Sequence, residues 1–134
     1  MHRCDTLLVT CMDFRLHPAL FDLLRPRFGE LMDLITVPGA AKAFLDGPRD
    51  FLLAAIVTSV HLHGTKRVLL VNHTDCGAYG GSAAFASEAA ERERHLNDLG
   101  AARRLIEASV QGVSVETMLA SLTLEAGGWR VMVP

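Results

Sequence analysis

Thr6-Leu7-Leu8-Val9-Thr10 runs straight into Cys11-Met12-Asp13-Phe14-Arg15, so that a short apolar segment stops at a cluster of reactive and charged side chains. The segment has the length of a strand and lacks the alternation expected of a strand with one wet face. It therefore reads as a buried strand ending in a loop. The pattern recurs along the chain. Leu34-Ile35-Thr36-Val37 stops at Pro38-Gly39, Arg67-Val68-Leu69-Leu70-Val71 stops at Asn72-His73, and Trp129-Arg130-Val131-Met132-Val133 lies near the last residue. Runs of this kind are expected of parallel strands covered on both faces, because neither face meets water.

Segments of helical length separate the strands. Residues 18–28 space Leu20, Phe21, Leu24 and Phe28 at three- and four-residue steps, and Pro26 is expected to kink or end that helix early. Asp46-Gly47-Pro48 reads as a helix start with a capping carboxylate, leading into residues 51–63 and a stop at Gly64. Further helices are expected over 83–99, 101–110 and 114–125. The charge-dense stretch 88–95 is read as a solvated helix face. The expected architecture is α/β, a mostly parallel central sheet of about four to five strands with helices on both faces and right-handed crossovers. In such sheets ligands bind beyond the carboxyl ends of the strands.

A chain of 134 residues fits one domain spanning 1–134. Half of the residues are hydrophobic and 21% are charged, which provides for a core and argues against disorder. With 13 Lys+Arg against 15 Asp+Glu, the footprint of a nucleic-acid binder is absent. Cys4, Cys11 and Cys76 make an odd set with no positively charged leader and apolar region ahead of them, so a reduced cytoplasmic setting is expected over a secreted disulfide framework. The longest strongly apolar stretch, 51–60, has about half the ~20 residues of a membrane-spanning helix, and no membrane partner is expected.

The reactive residues fall at strand ends. Cys11 follows the first strand, and His73 and Cys76 follow the third, so a parallel sheet would bring all of them to one edge. Two thiolates and one imidazole suit Zn²⁺ and leave a fourth tetrahedral position open, as in catalytic rather than structural sites. Water at that position would be drawn from a pKa near ~16 toward neutrality, which makes a hydroxide nucleophile available. Asp13 and Arg15 follow Cys11 at steps of two, which in an extended loop places a carboxylate beside the metal and a guanidinium beyond it. Clamped by the arginine, Asp13 could accept the proton of a zinc-bound hydroxide, or it could swing in as a fourth ligand.

Cys11-Met12-Asp13-Phe14-Arg15, with His73-Thr74-Asp75-Cys76-Gly77 about sixty residues later, resembles the β-class carbonic anhydrases, most closely their short microbial branch. The family pattern is Cys-x-Asp-x-Arg followed by His-x-x-Cys, and all of its positions match. The resemblance implies reversible hydration of CO₂ to bicarbonate on a mostly parallel sheet, in a homodimer or a higher homo-oligomer. It implies Cys11, His73 and Cys76 as zinc ligands, Asp13 and Arg15 as the activating catalytic pair, and a backbone amide near Gly77 as a contact for bicarbonate. Two departures stand out. Where the family carries Arg-Asn-Ala-Gly after the second strand, this chain has Val37-Pro38-Gly39-Ala40-Ala41. The family's N-terminal helical arm, which supplies a substrate-orienting Gln, is not expected ahead of a strand that begins at Thr6. The altered turn motivates hydrolysis of COS or CS₂ as an alternative reaction, and a zinc-stabilised binding protein without turnover as an alternative class.

The remaining candidates carry blander readings. Asp75 is expected to form an Asx turn, and Cys4 to be a thiol without function. His61 and His63 fit a helix end, where the dipole favours a cation. His17 is a weaker candidate for proton relay, and His2 and His95 are expected at the surface. Gly77, Gly80 and Gly81 around Tyr79 are read as permitting unusual backbone angles beside the metal loop. No phosphate-loop or dinucleotide fingerprint occurs.

Overall fold

On strand β1 (Thr6–Thr10), Leu7 and Val9 point into one apolar cluster and Leu8 into another, and Val68 and Leu70 alternate with Leu69 and Val71 in the same way on β3 (Arg67–His73). Both faces of the central strands are therefore dry, as the unbroken apolar runs require. The computed structural model describes residues 2–134. β1 lies between β2 (Asp33–Thr36) and β3, both parallel to it. β3 pairs in parallel with β4 (Ser114–Glu125), which turns back antiparallel onto β5 (Gly128–Met132). The order is β2-β1-β3-β4-β5. Helix α1 (Ala19–Phe28) covers one face through Leu20 and Leu24. Helices α2 (Ala41–Asp46), α3 (Arg49–His63) and α4 (Glu88–Ser109) cover the other, with Phe44, Ile56, Leu99 and Ile106 fully buried. The expected mostly parallel sheet with helices on both faces is what forms.

Several expectations about single elements are corrected. Residues 114–125 form a strand, not a helix. Without β4 the buried β3 would be a bare edge, and pairing from Arg67↔Ser114 to His73↔Ala120 satisfies its backbone, so tertiary context overrides the local pattern. The two helices expected over 83–110 are one, α4, which begins after the cap of Ser87 on the Ala90 amide and runs through Gly100. Residues 82–84 form a 3₁₀ turn before it. Asp46 caps nothing. It closes α2, an element the sequence reading missed, and α3 starts after Pro48 with no side-chain cap. Pro26 lies inside α1, which continues to Phe28 and stops where the Gly29 amide donates to the Arg25 carbonyl. α3 stops at Gly64 as expected, in the left-handed conformation of a helix C-cap. Among the described residues no helix is long and apolar enough to cross a membrane.

Candidate metal centre

Strand ends deliver the site. Cys11 directly follows β1, where the Val37 amide donates to the Thr10 carbonyl and ties the turn after β2 alongside. His73 is the last residue of β3, fixed by β4. The Thr74 amide donates to the Ala120 carbonyl at 3.0 Å, and the Leu122 amide donates to Thr74 Oγ1 at 2.9 Å. The misread strand is thus what anchors the His73 turn. The chain then reverses at Asp75, which adopts φ +57°. Cys76 is held by amides of Tyr79 and Gly81 donating to its carbonyl at 3.0 and 2.9 Å.

The ligand atoms of Cys11, His73 and Cys76 all lie within 4.8 Å of one another, and all three residues are buried. The two sulfurs are 3.9 Å apart. His73 Nδ1 stands 2.7 Å from the Thr74 carbonyl, which can only accept, so in the neutral ring Nδ1 carries the proton and Nε2 the lone pair. That Nε2 is buried and has no hydrogen-bond partner among the described residues. A buried nitrogen lone pair without a donor is costly, and a cation held between it and two sulfurs would satisfy it. Between the cysteines one proton is shared unequally. Cys11 is driven well below the usual thiol range by the hydrogen bond from Cys76, with help from the Gly39 amide against burial. Cys76, facing that thiolate in a buried position, is pushed up. This donor set fits a thiophilic divalent ion.

Beside it stands the predicted pair. Arg15 Nη2 donates to Asp13 Oδ2 at 2.7 Å, and its Nε reaches Oδ1 and Oδ2 at 3.1 and 3.2 Å. The Arg15 amide also donates to Asp13 Oδ1 at 2.9 Å, so the pair is locked locally as well as by charge. Arg15 holds the Asp13 carboxyl below its ordinary range, outweighing partial burial. Asp13 Oδ2 lies 3.8 Å from His73 Nε2, which places the carboxylate next to the ligand cluster. The other edge of the guanidinium serves Asp75, donating from Nη1 to Oδ2 at 3.0 Å and from Nη2 to the carbonyl at 2.9 Å. Asp75 does not form the expected Asx turn, because its carboxylate accepts from partners distant in sequence. Its Oδ1 accepts the Ser82 amide at 2.8 Å while Oδ2 bridges to Arg15.

A cleft of about 860 Å³ opens over these groups, lined on its apolar side by Met12, Phe14, Pro38, Ala78 and Trp129. Gly77 lies on its wall, and a side chain there would meet nothing within 4 Å. Gly39, in the altered turn, adopts φ +79°, and a Cβ there would come within 3.1 Å of Ala78 and Lys42, so the turn packs tightly against the cysteine loop. Arg15 stacks over the Trp129 ring at 4.6 Å, and β5 thereby contributes to the mouth of the cleft.

Other candidates fall elsewhere. His17 Nε2 faces the Cys11 carbonyl at 3.1 Å. His63 pairs with Asp33 at 2.6 Å, and Cys4 Sγ accepts the Asp33 amide, both at the opposite end of the strands. His2 and His61 are exposed. His95 is not at the surface: it is fully buried, contacting Asn72 Nδ2 through Nδ1 at 3.0 Å and packing on Tyr79. Residues 88–95 are a solvated face only in part: Glu88, Arg92, Glu93 and Arg94 are exposed, whereas Glu91 is only 4% exposed. The signal was present in the spacing. Stepping back by four from the apolar Leu99 reaches His95 and then Glu91, so both lie on the stripe that α4 buries.

A family model described as "Putative carbonic anhydrase" matches residues 1–126. The chain belongs to this family. Two proteins of uncharacterised function, from Rickettsia bellii and Rickettsia conorii, are each 28% identical to it over 131 residues. Each alignment covers 91% of this chain, with 79% and 70% of the respective relatives. The carbonic anhydrase from Glaciozyma antarctica has a similar fold, with a TM-score of 0.56 at 17% identity, covering 98% of this chain and 83% of that one. The resemblance carried by Cys-x-Asp-x-Arg and His-x-x-Cys thus extends to a carbonic anhydrase fold over nearly the whole chain.

Proposed function

We propose that this chain interconverts carbon dioxide and bicarbonate with a zinc ion held by Cys11, His73 and Cys76, acting as one domain over 1–134 in the cytoplasm. One observation carries the reading: a buried His73 Nε2 without a partner converges on two cysteine sulfurs beside a carboxylate clamped by arginine. Bound zinc supplies Lewis acidity, which lowers the pKa of water toward neutrality. Asp13, kept ionised by Arg15, is the proton acceptor at the site. Arg15 fixes the direction of its free lone pairs by holding both oxygens. The apolar wall of Met12, Phe14, Pro38 and Ala78 favours a small uncharged substrate over water, and the Gly77 amide is the donor for a product oxygen. Phe14 is 81% exposed and Met12 borders the same cleft, which supports a second copy of the chain covering this rim in a homodimer or higher assembly.

The test is stopped-flow CO₂ hydration at about pH 7 and about pH 8.5 on protein of known zinc content. Turnover well above buffer at one zinc per chain is expected. Zinc without turnover on CO₂ would overturn the hydratase reading. The altered turn Val37–Ala41, whose Pro38 lines the cleft, motivates one second reading, in which COS or CS₂ is hydrolysed there. Turnover of CO₂ alone in the same assay would dismiss it.

A further inference from the structure

Glu91 is a carboxylate buried by α4 at 4% exposure, and the reaction proposed above does not use it. Burying a carboxylate is costly unless its lone pairs are satisfied. Those of Glu91 are satisfied by donors from a single loop. The Asp75 amide donates to Oε2 at 2.9 Å, and the Ser82 hydroxyl lies 3.0 and 2.9 Å from Oε1 and Oε2. Asp75 is the residue that reverses the chain between His73 and Cys76, in a left-handed conformation uncommon for residues other than glycine and adopted more readily by Asp and Asn than by most. The hydrogen bond from its amide to Glu91 fixes the orientation of that turn. With its amide turned toward Glu91, Asp75 presents its carbonyl and carboxylate to Arg15 on the other side. Arg15 in turn holds Asp13 and stacks on Trp129.

We propose that Glu91 is a positioning residue: from α4 it pins the Asp75 turn and thereby keeps Arg15 seated between Asp13 and the Trp129 ring. The effect on turnover rests on the carbonic anhydrase reading. The effect on Arg15 does not, and it can be read separately. Trp129 is the one tryptophan of the sequence, so its emission reports whether the guanidinium remains stacked.

The experiment compares the zinc-loaded full chain with Glu91→Asp and Glu91→Gln. The Asp variant keeps the charge but is a methylene too short to reach both donors. The Gln variant keeps the length and an acceptor for the Asp75 amide. In Glu91→Asp, Trp129 emission shifts to the red and acrylamide quenching rises, while zinc per chain stays at the parental value. Its kcat falls about 10- to 100-fold with KM unchanged, the size usual for a group that orients a reactive one. Glu91→Gln stays close to the parent in both readouts. A parental Trp129 spectrum in Glu91→Asp would overturn the proposal, whatever happens to the melting temperature. So would a Gln variant as disturbed as the Asp variant. Should the parent prove inactive on CO₂, the function proposed above fails, and the Trp129 spectra still decide the role of Glu91.

Discussion

Arg15 grips Asp13 along one edge, with Nη2 at 2.7 Å from Oδ2 and Nε within reach of both oxygens, and turns its other edge to Asp75. A single planar cation thus joins the loop after β1 to the loop after β3, which are the two loops that carry the cysteines. Only a guanidinium has donors arranged for that, since an ammonium offers one compact charge and no fork.

Asp13→Asn is the direct test of the carboxylate. The amide keeps the shape of the side chain and leaves Cys11, His73 and Cys76 untouched, so zinc per chain should remain at the parental level. It cannot accept a proton in the same way, and CO₂ hydration should fall about 10²- to 10⁴-fold, the range of a lost general base. Equal turnover in variant and parent, measured by stopped flow, would show that Asp13 has no part in the chemistry.

Arg15→Met should lower stability near neutral pH and make what remains less dependent on acid pH. Asp13 and Asp75 are both held below their ordinary value of 3.8, Asp13 chiefly by Arg15, and Asp75 by the Ser82 amide and then Arg15. A carboxyl whose folded value is depressed contributes stability that is present in full above its unfolded value and lost as the pH falls through the folded one. Removing the guanidinium brings the two values back up, so less stability is left to lose. Urea midpoints of parent and variant should differ most above pH 3.8 and converge as the pH drops below it. A difference independent of pH would mean that Arg15 acts through packing on Trp129 alone.

The parts of the fold legible in sequence were those whose physics is local. Unbroken apolar runs identify β1 and β3 because both faces of those strands are covered, and the reactive residues after them follow from the geometry of a parallel sheet. β4 was hidden because its burial follows neither a strand nor a helix period cleanly. It pairs in parallel along one edge up to Ala120 and antiparallel along the other from Ser121, so different parts of it face different neighbours. Glu91 and His95 were hidden by composition, since a polar stretch on a long helix reads as solvated until the position of the loop above it is known. The candidate ligand residues Cys11, His73 and Cys76 were legible, whereas Glu91, which holds the loop of His73 and Cys76 from α4, was not.

His95 gives a prediction with a definite sign. Burial holds its imidazole below the ordinary 6.5, and the positive charge of Arg94 acts in the same direction against Glu91 and Asp98. The unfolded chain therefore takes up a proton near pH 6.5 that the folded chain refuses, and stability is full above that pH and declines as the pH falls below it. Glutamine offers Asn72 an acceptor and does not titrate. His95→Gln should be less stable than the parent at pH 8 and should lose less stability between pH 6.5 and the acid side, so that the two denaturation midpoints approach each other. Parallel midpoints across that range would mean that His95 is protonated in the folded state.

The cysteine pair makes the last prediction, which concerns protons rather than rates. With Cys11 held as a thiolate by its neighbours and Cys76 pushed up beside it, the metal-free site carries one sulfur-bound proton at neutral pH. In the neutral ring of His73, donation from Nδ1 to the Thr74 carbonyl leaves the lone pair on Nε2. A zinc ion needs both sulfurs as thiolates, so its binding should expel about one proton, where two ordinary thiols would give up two. Calorimetric titration of the metal-free protein with zinc, in buffers of different ionisation enthalpy, counts that proton directly. In Cys76→Ser the ion should bind more weakly, because one of the two sulfur donors is gone. Release of two protons by the parent would mean that Cys11 is a thiol in the empty site, and the charge arrangement derived from the 3.9 Å separation of the sulfurs would have to be abandoned.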